Sequence, residues 1–195
     1  ERREMIVSCN NKPTVCRAAC PWAVARLWLA SVLAILAIAA SAQEDRLMCR
    51  FCKVDTTLTN AELHTLYLAY SKTEAYAASL GSLPSDPLQA VAKRPLSLQA
   101  LFNAAVEMKH KGKKRRMARF ARQMWMLGEM ICNEFTGDAS CPYRLLYRED
   151  ECLVLYNWRH IDSIVQVTQK PEYDIVECAL PPDWLDYYYF KLLHK

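Results

Sequence analysis

A run of uncharged, mostly apolar residues from Leu27 to Ala42, LWLASVLAILAIAASA, constrains this chain most, because it decides which residues fold and in which redox compartment. Lys12, Arg17 and Arg26 precede it, Ala40-Ser41-Ala42 supplies small residues at its end, and Glu44 and Asp45 follow at once. Basic region, apolar region and small-residue cleavage site are the three parts of a secretory signal peptide. A type II membrane anchor would keep the same basic side towards the cytosol. The 16 residues between Arg26 and Gln43 fall short of the roughly 20 that cross a bilayer core, however, and they are rich in alanine. The expectation is therefore a signal peptide over residues 1–42, with an atypically long basic region, since the chain starts at Glu1 and its first methionine is Met5. Residues 43–195 are then a single secreted, extracellular domain with no membrane span after cleavage.

Cleavage changes the cysteine count. Cys9, Cys16 and Cys20 would be removed, leaving Cys49, Cys52, Cys132, Cys141, Cys152 and Cys178. An even number in a secreted chain reads as three disulfides, with 15 possible pairings. Bridges between the N-terminal pair and the other four would close long loops, each adding on the order of 4 kcal/mol by the chain-entropy model. The Cys49-Arg50-Phe51-Cys52 spacing also invites a thioredoxin-like reading, but six residues before Cys49 leave no room for the strand that should precede such a motif. A zinc site would need a second close pair, and Cys132 and Cys141 are nine apart.

Charge changes too. Five of the 25 basic and two of the 21 acidic residues lie before the cleavage point, so 20 and 19 remain and the net charge falls from +4 to about +1. Binding to polyanions must then come from a local patch, and intracellular nucleic acid is not expected as a partner. Four glycines in the whole chain argue against phosphate-cradling loops and turn-rich sandwiches.

Helix signals dominate the first two thirds. Thr59-Asn60-Ala61-Glu62 is a capping box flanked by a Leu58/Leu63 staple, and apolar spacing through Leu66, Tyr67, Tyr70, Ala77 and Leu80 predicts one helix from about Asn60 to Leu80. Pro84, Pro87 and Pro95 mark 82–95 as a linker. Leu98, Leu101, Phe102, Ala105 and Met108 predict about three turns of a second helix; Met117, Phe120, Met124, Leu127, Gly128 and Ile131 predict a third from Arg116 to Phe135. Cys132 would pin that third helix to another element.

Later residues are β-branched and aromatic. Strands are expected at about Ser163–Thr168 and Tyr173–Cys178, while 149–160 fits helix or strand. Pro181-Pro182-Asp183, with Asp186 near the third helical position, predicts a terminal helix from Trp184 to about Leu193 on which Tyr187, Tyr188 and Tyr189 cannot all be buried. The fold class expected is thus mainly α, helical bundle-like, with a small β element in the C-terminal third, stapled by disulfides.

Eight of the 20 remaining basic residues fall within fourteen positions: Lys109, Lys111, Lys113, Lys114, Arg115, Arg116, Arg119 and Arg122. No acid appears between Glu107 and Glu129. Three readings fit: a solvated helix C-terminus with Gly112 beyond it, a surface for an acidic glycan or acidic receptor, and a dibasic processing site after Arg116. No catalytic or metal-binding residues are expected: His64, His110, His160 and His194 form no HExxH or Cys-His spacing, His160-Ile161-Asp162 lacks a completing group, and G-x-S-x-G is missing. No cofactor is implied. The function expected is a non-enzymatic secreted ligand or binding protein, cytokine- or hormone-like, acting through the basic segment and an aromatic C-terminal helix. A small secreted hydrolase or lipid-handling protein is the alternative.

Overall fold

The structure, a computed structural model, describes residues 41–161, 163–182 and 184–194. The expected signal segment therefore lies outside the described residues, apart from Ser41 and Ala42, as do Asp162 and the N-cap expected at Asp183. Contacts divide the chain into two units, Glu1–Ser41 and Ala42–Lys195.

Helical backbone over residues 41–52 (α1) is followed by α2 (Asn60–Tyr70), α3 (Glu74–Ser79), α4 (Pro87–Lys93), α5 (Leu98–His110) and α6 (Lys114–Glu134). Strand β1 (Tyr143–Leu145) then leads through a 3-10 turn at Arg148–Asp150 into α7 (Glu151–Trp158), and β2 (Ile164–Gln169), β3 (Asp174–Leu180) and β4 (Trp184–Leu192) complete the described chain. The sheet order is β1-β4-β3-β2, with β2-β3-β4 an antiparallel meander and β1 parallel to β4.

Local chemistry explains the helix starts. Thr59 caps α2 with both halves of the box formed: its Oγ1 accepts from Glu62 N at 3.2 Å, and Thr59 N donates to Glu62 Oε2 at 2.9 Å. The single helix expected to Leu80 is interrupted at Ser71–Thr73. There Ser71 Oγ donates to Leu68 O, and Thr73 Oγ1 donates to Tyr70 O while accepting from Tyr76 N. Hydroxyls satisfying local backbone groups compete with helix continuation and start α3 in a new phase. Tyr76 and Ser79 are consequently buried where Ala77 and Leu80 were expected. The expected linker contains α4, for which Asp86 is the N-cap and Pro87 the first residue, a start signal in its own right.

The mainly α, disulfide-stapled bundle is overturned. A four-stranded mixed sheet fills most of the C-terminal third, and 149–160 resolves as the 3-10 turn and α7. The expected terminal helix is strand β4. Its Phe190 and Leu192 face the core while Leu185, Tyr187 and Lys191 face solvent, a period of two that no helix can present. One apolar cluster joins the halves, from Phe51, Leu66 and Tyr67 through Leu101, Leu127 and Ile131 to Tyr143, Val154, Val176 and Phe190.

No disulfide forms. Cys49, Cys52, Cys132, Cys141, Cys152 and Cys178 are all free thiols. Parity counts cysteines but does not place them, and a bridge needs Cα atoms within about 7 Å with Cβ vectors converging. Cys178, buried on β3, has Ile164 and Asp186 as its cross-strand neighbours, and Cys152 is exposed on α7. Cys132, expected to pin α6, is half-buried and unbonded; burial pushes its thiol up to about 11. What anchors α1 is non-covalent. Leu47 and Phe51 are buried, Gln123 Nε2 donates to Phe51 O at 3.3 Å, and Arg50 reaches Asp55 at 2.8 Å and Glu62 at 2.6 Å.

Candidate functional site: a basic turn between two helices

The eight clustered cations are carried by the junction of α5 and α6. Lys109 and His110 close the last turn of α5, where cations face the negative end of the helix dipole. Gly112 then takes φ +66°, Gly112 N donates to Lys109 O at 3.0 Å and Lys113 N to Met108 O at 2.9 Å. This is a Schellman motif, and it fixes the turn that sequence spacing placed at Gly112.

The second half of the cluster is electrostatically unlike the first. Lys113 is the N-cap of α6 and supplies no side-chain cap, no acid lies in the first turn, and Lys114, Arg115 and Arg116 open the helix. Cations there repel the positive end of the macrodipole, at about 0.3–1 kcal/mol each when exposed. Arg119 and Arg122 continue the exposed face, while Gln123, Leu127, Gly128, Met130 and Ile131 turn inward. Among the described residues, only Lys111 of the eight makes an ion pair, with Glu107 at 2.7 Å, and that hydrogen bond raises its pKa. Residues Gly112 to Arg116 line an open hollow of about 470 Å³. Extra N–H donors, uncompensated cations and an open concavity together make a surface that attracts anions.

The Arg116-Met117 bond lies in exposed helical backbone in the first turn of α6.

The other residues singled out by sequence are dispersed. His160 is exposed at φ +56°, His64 Nδ1 sits 3.9 Å from Glu134, and His194 Nδ1 lies 2.9 Å from the Tyr76 hydroxyl. Cys49 and Cys52 lie at the C-terminal end of α1, the opposite end to the one that activates a thiol, and burial raises Cys52 against a lowering by Arg119. No group of three metal-binding side chains occurs among the described residues.

Sequence reasoning missed a buried polar network. Arg94 lies over the Tyr147 ring at 4.7 Å, donates to Ser79 O at 2.8 Å and pairs with Glu149. Ser79 Oγ meets the Tyr147 hydroxyl at 2.8 Å, and the Tyr76 hydroxyl donates to Leu146 O at 2.8 Å. Fully buried Asp150 accepts from Ser97 Oγ at 3.0 Å and Gln99 N at 2.8 Å, leaving Oδ2 without a partner. Burial pushes its carboxyl up to about 6. Apart from Arg94 and Ser79, 15 positions apart, these partners are 51 to 70 positions apart, so no spacing rule could have joined them.

In comparisons with protein-family models, curated proteins and solved structures, nothing matches this chain. Function is therefore argued from its own surfaces.

Proposed function

We propose that the chain is a secreted, non-enzymatic binding domain whose basic turn engages an extracellular acidic glycan. The observation that carries this is the uncapped, cation-loaded start of α6: Lys113, Lys114, Arg115 and Arg116 stand exposed at the positive helix end with no described acid to neutralise them. A purely solvated face would be expected to mix signs, and it gains nothing from charges that oppose the dipole. Secretion is supported by the layout of Leu27 to Ala42.

Retention on a heparin column tests the reading. Replacing Lys113, Lys114, Arg115 and Arg116 by alanine should move elution to markedly lower salt; unchanged elution refutes the basic-surface reading. Intact mass of material exported by expressing cells should begin at Gln43, and export with residues 1–42 still attached would refute the signal peptide.

A further inference from the structure

A second hollow, mostly apolar, lies away from the basic turn. Residues from α1, α2, α3 and α4 enclose about 490 Å³, within the roughly 300–1,000 Å³ of small-molecule sites. Leu66 and Tyr70, both buried, form its floor, and Met48 and Pro95 flank it. Ala75 and Ala78 on α3 and Ala92 on α4 open its mouth, because side chains that end at Cβ leave the space unfilled.

Buried Ser79 adds a polar group to the wall, its Oγ donating to Tyr76 O at 2.6 Å. Lys93 also lines the hollow; its Nζ donates to Ser82 O at 3.0 Å and keeps its positive charge. Glu44 and Asp45 also line the hollow, and neither side chain makes a hydrogen bond or ion pair with a described residue. Two carboxylates against one ammonium leave the lining of an otherwise mostly apolar hollow net negative, which is complementary to one kind of occupant. Burying apolar surface supplies most of the attraction, and opposite charge at the rim selects the head group.

We propose that this pocket is a binding site for a small cationic amphiphile, its alkyl or aryl body seated between α2, α3 and α4 and its ammonium head against Glu44 and Asp45. The site does not depend on the glycan reading, since it shares no residue with the basic turn.

Calorimetric titration of the full chain with decyltrimethylammonium and with neutral decyl maltoside, each below its micelle concentration, tests the assignment. Saturable binding of one decyltrimethylammonium per chain is expected, at least several-fold tighter than decyl maltoside. Ala78→Trp should fill the hollow and abolish binding of both. Should that variant fold poorly by circular dichroism, Ala92→Trp fills it from the other wall. Glu44→Gln with Asp45→Asn should lower the ammonium affinity to that of the maltoside and leave the maltoside unchanged. Equal affinity for the two head groups, no saturable binding, or binding that persists in a folded Trp variant would each overturn the proposal.

Discussion

Two stretches of this chain carry helix-start chemistry, and they end as different structures. At Leu58 to Tyr70 the signal is closed within four residues: Thr59 and Glu62 satisfy each other's backbone N–H groups, and Leu58 and Leu63 are buried beside them. At Trp184 to Leu192 an early acid and a late lysine also suit a helix, yet the backbone is extended. Asp186 faces Cys178 across the sheet, and its carboxylate accepts from the N–H of Tyr187 at 2.9 Å instead of capping a turn. The difference teaches that a cap is decisive when its hydrogen bonds are local and reciprocal. A favourable charge order alone, worth a few tenths to 1 kcal/mol, yields to burial of Phe190 and Leu192 against β1 and β3.

The sharpest way to break that contrast is to remove the burial. Phe190 is fully buried between Tyr143 and Asp174 in the two neighbouring strands. Phe190→Ala should cost about 3–5 kcal/mol in urea unfolding, and a cost under about 1 kcal/mol would mean that core packing does not set β4.

Next in size is the seam between the two halves, where Asp150 ties the 3-10 turn to the start of α5. Its neighbours are Tyr67 on α2, Arg94 after α4, Ser97 and Gln99 at α5, and Glu151 beside it. With its pKa raised to about 6 from 3.8, the folded chain holds a proton that the unfolded chain has released. The associated stability, on the order of 3 kcal/mol, is fully present below about pH 4 and lost as pH rises through about 6. Asp55, lowered to about 2 chiefly by the Arg50 hydrogen bond, acts in the opposite sense. The comparison must therefore be with Asp150→Asn, which should lose less stability than the parent between pH 4 and 7; identical pH profiles would show that Asp150 is not the titrating group.

A smaller effect belongs to the cap. Thr59→Ala should lower stability by about 1 kcal/mol, because one Glu62 N–H loses its acceptor while the apolar stripe of α2 stays buried. The smallest is none at all. With all six of these thiols free, dithiothreitol should leave the melting temperature unchanged, whereas a clear drop would restore a covalent link. Iodoacetamide should reach exposed Cys49 and Cys152 well before Cys178, whose thiol burial pushes up to about 11.

Legibility in the sequence followed the range of the interactions. The α2 cap, the Gly112 turn, the apolar face of α6 and the β2-β3 pair were readable, since each rests on residues within one or two turns or on runs of β-branched side chains. On α5 only Leu98, Leu101 and Met108 of the expected stripe are buried; Phe102 is exposed, and Ala100 and Ala104 turn inward. The start of α4 was readable as well, because Asp86-Pro87 is a cap followed by a first-turn proline, but three prolines in 82–95 masked it. The interruption at Ser71 to Thr73 went unseen because apolar spacing ignores hydroxyls that bond backward.

Of the candidate surfaces, the basic turn was visible as composition, and the chain by itself determined that its cations are clustered and unmixed with acids. Only the tertiary structure decided that four of them open α6 against its dipole, because that depends on where the helix begins. The alanine-mouthed hollow, the Asp150 seam and the absence of cysteine pairing belong wholly to the fold. Each depends on which residues far apart in the chain the fold brings together or keeps apart, and neither periodicity nor parity carries distance in space.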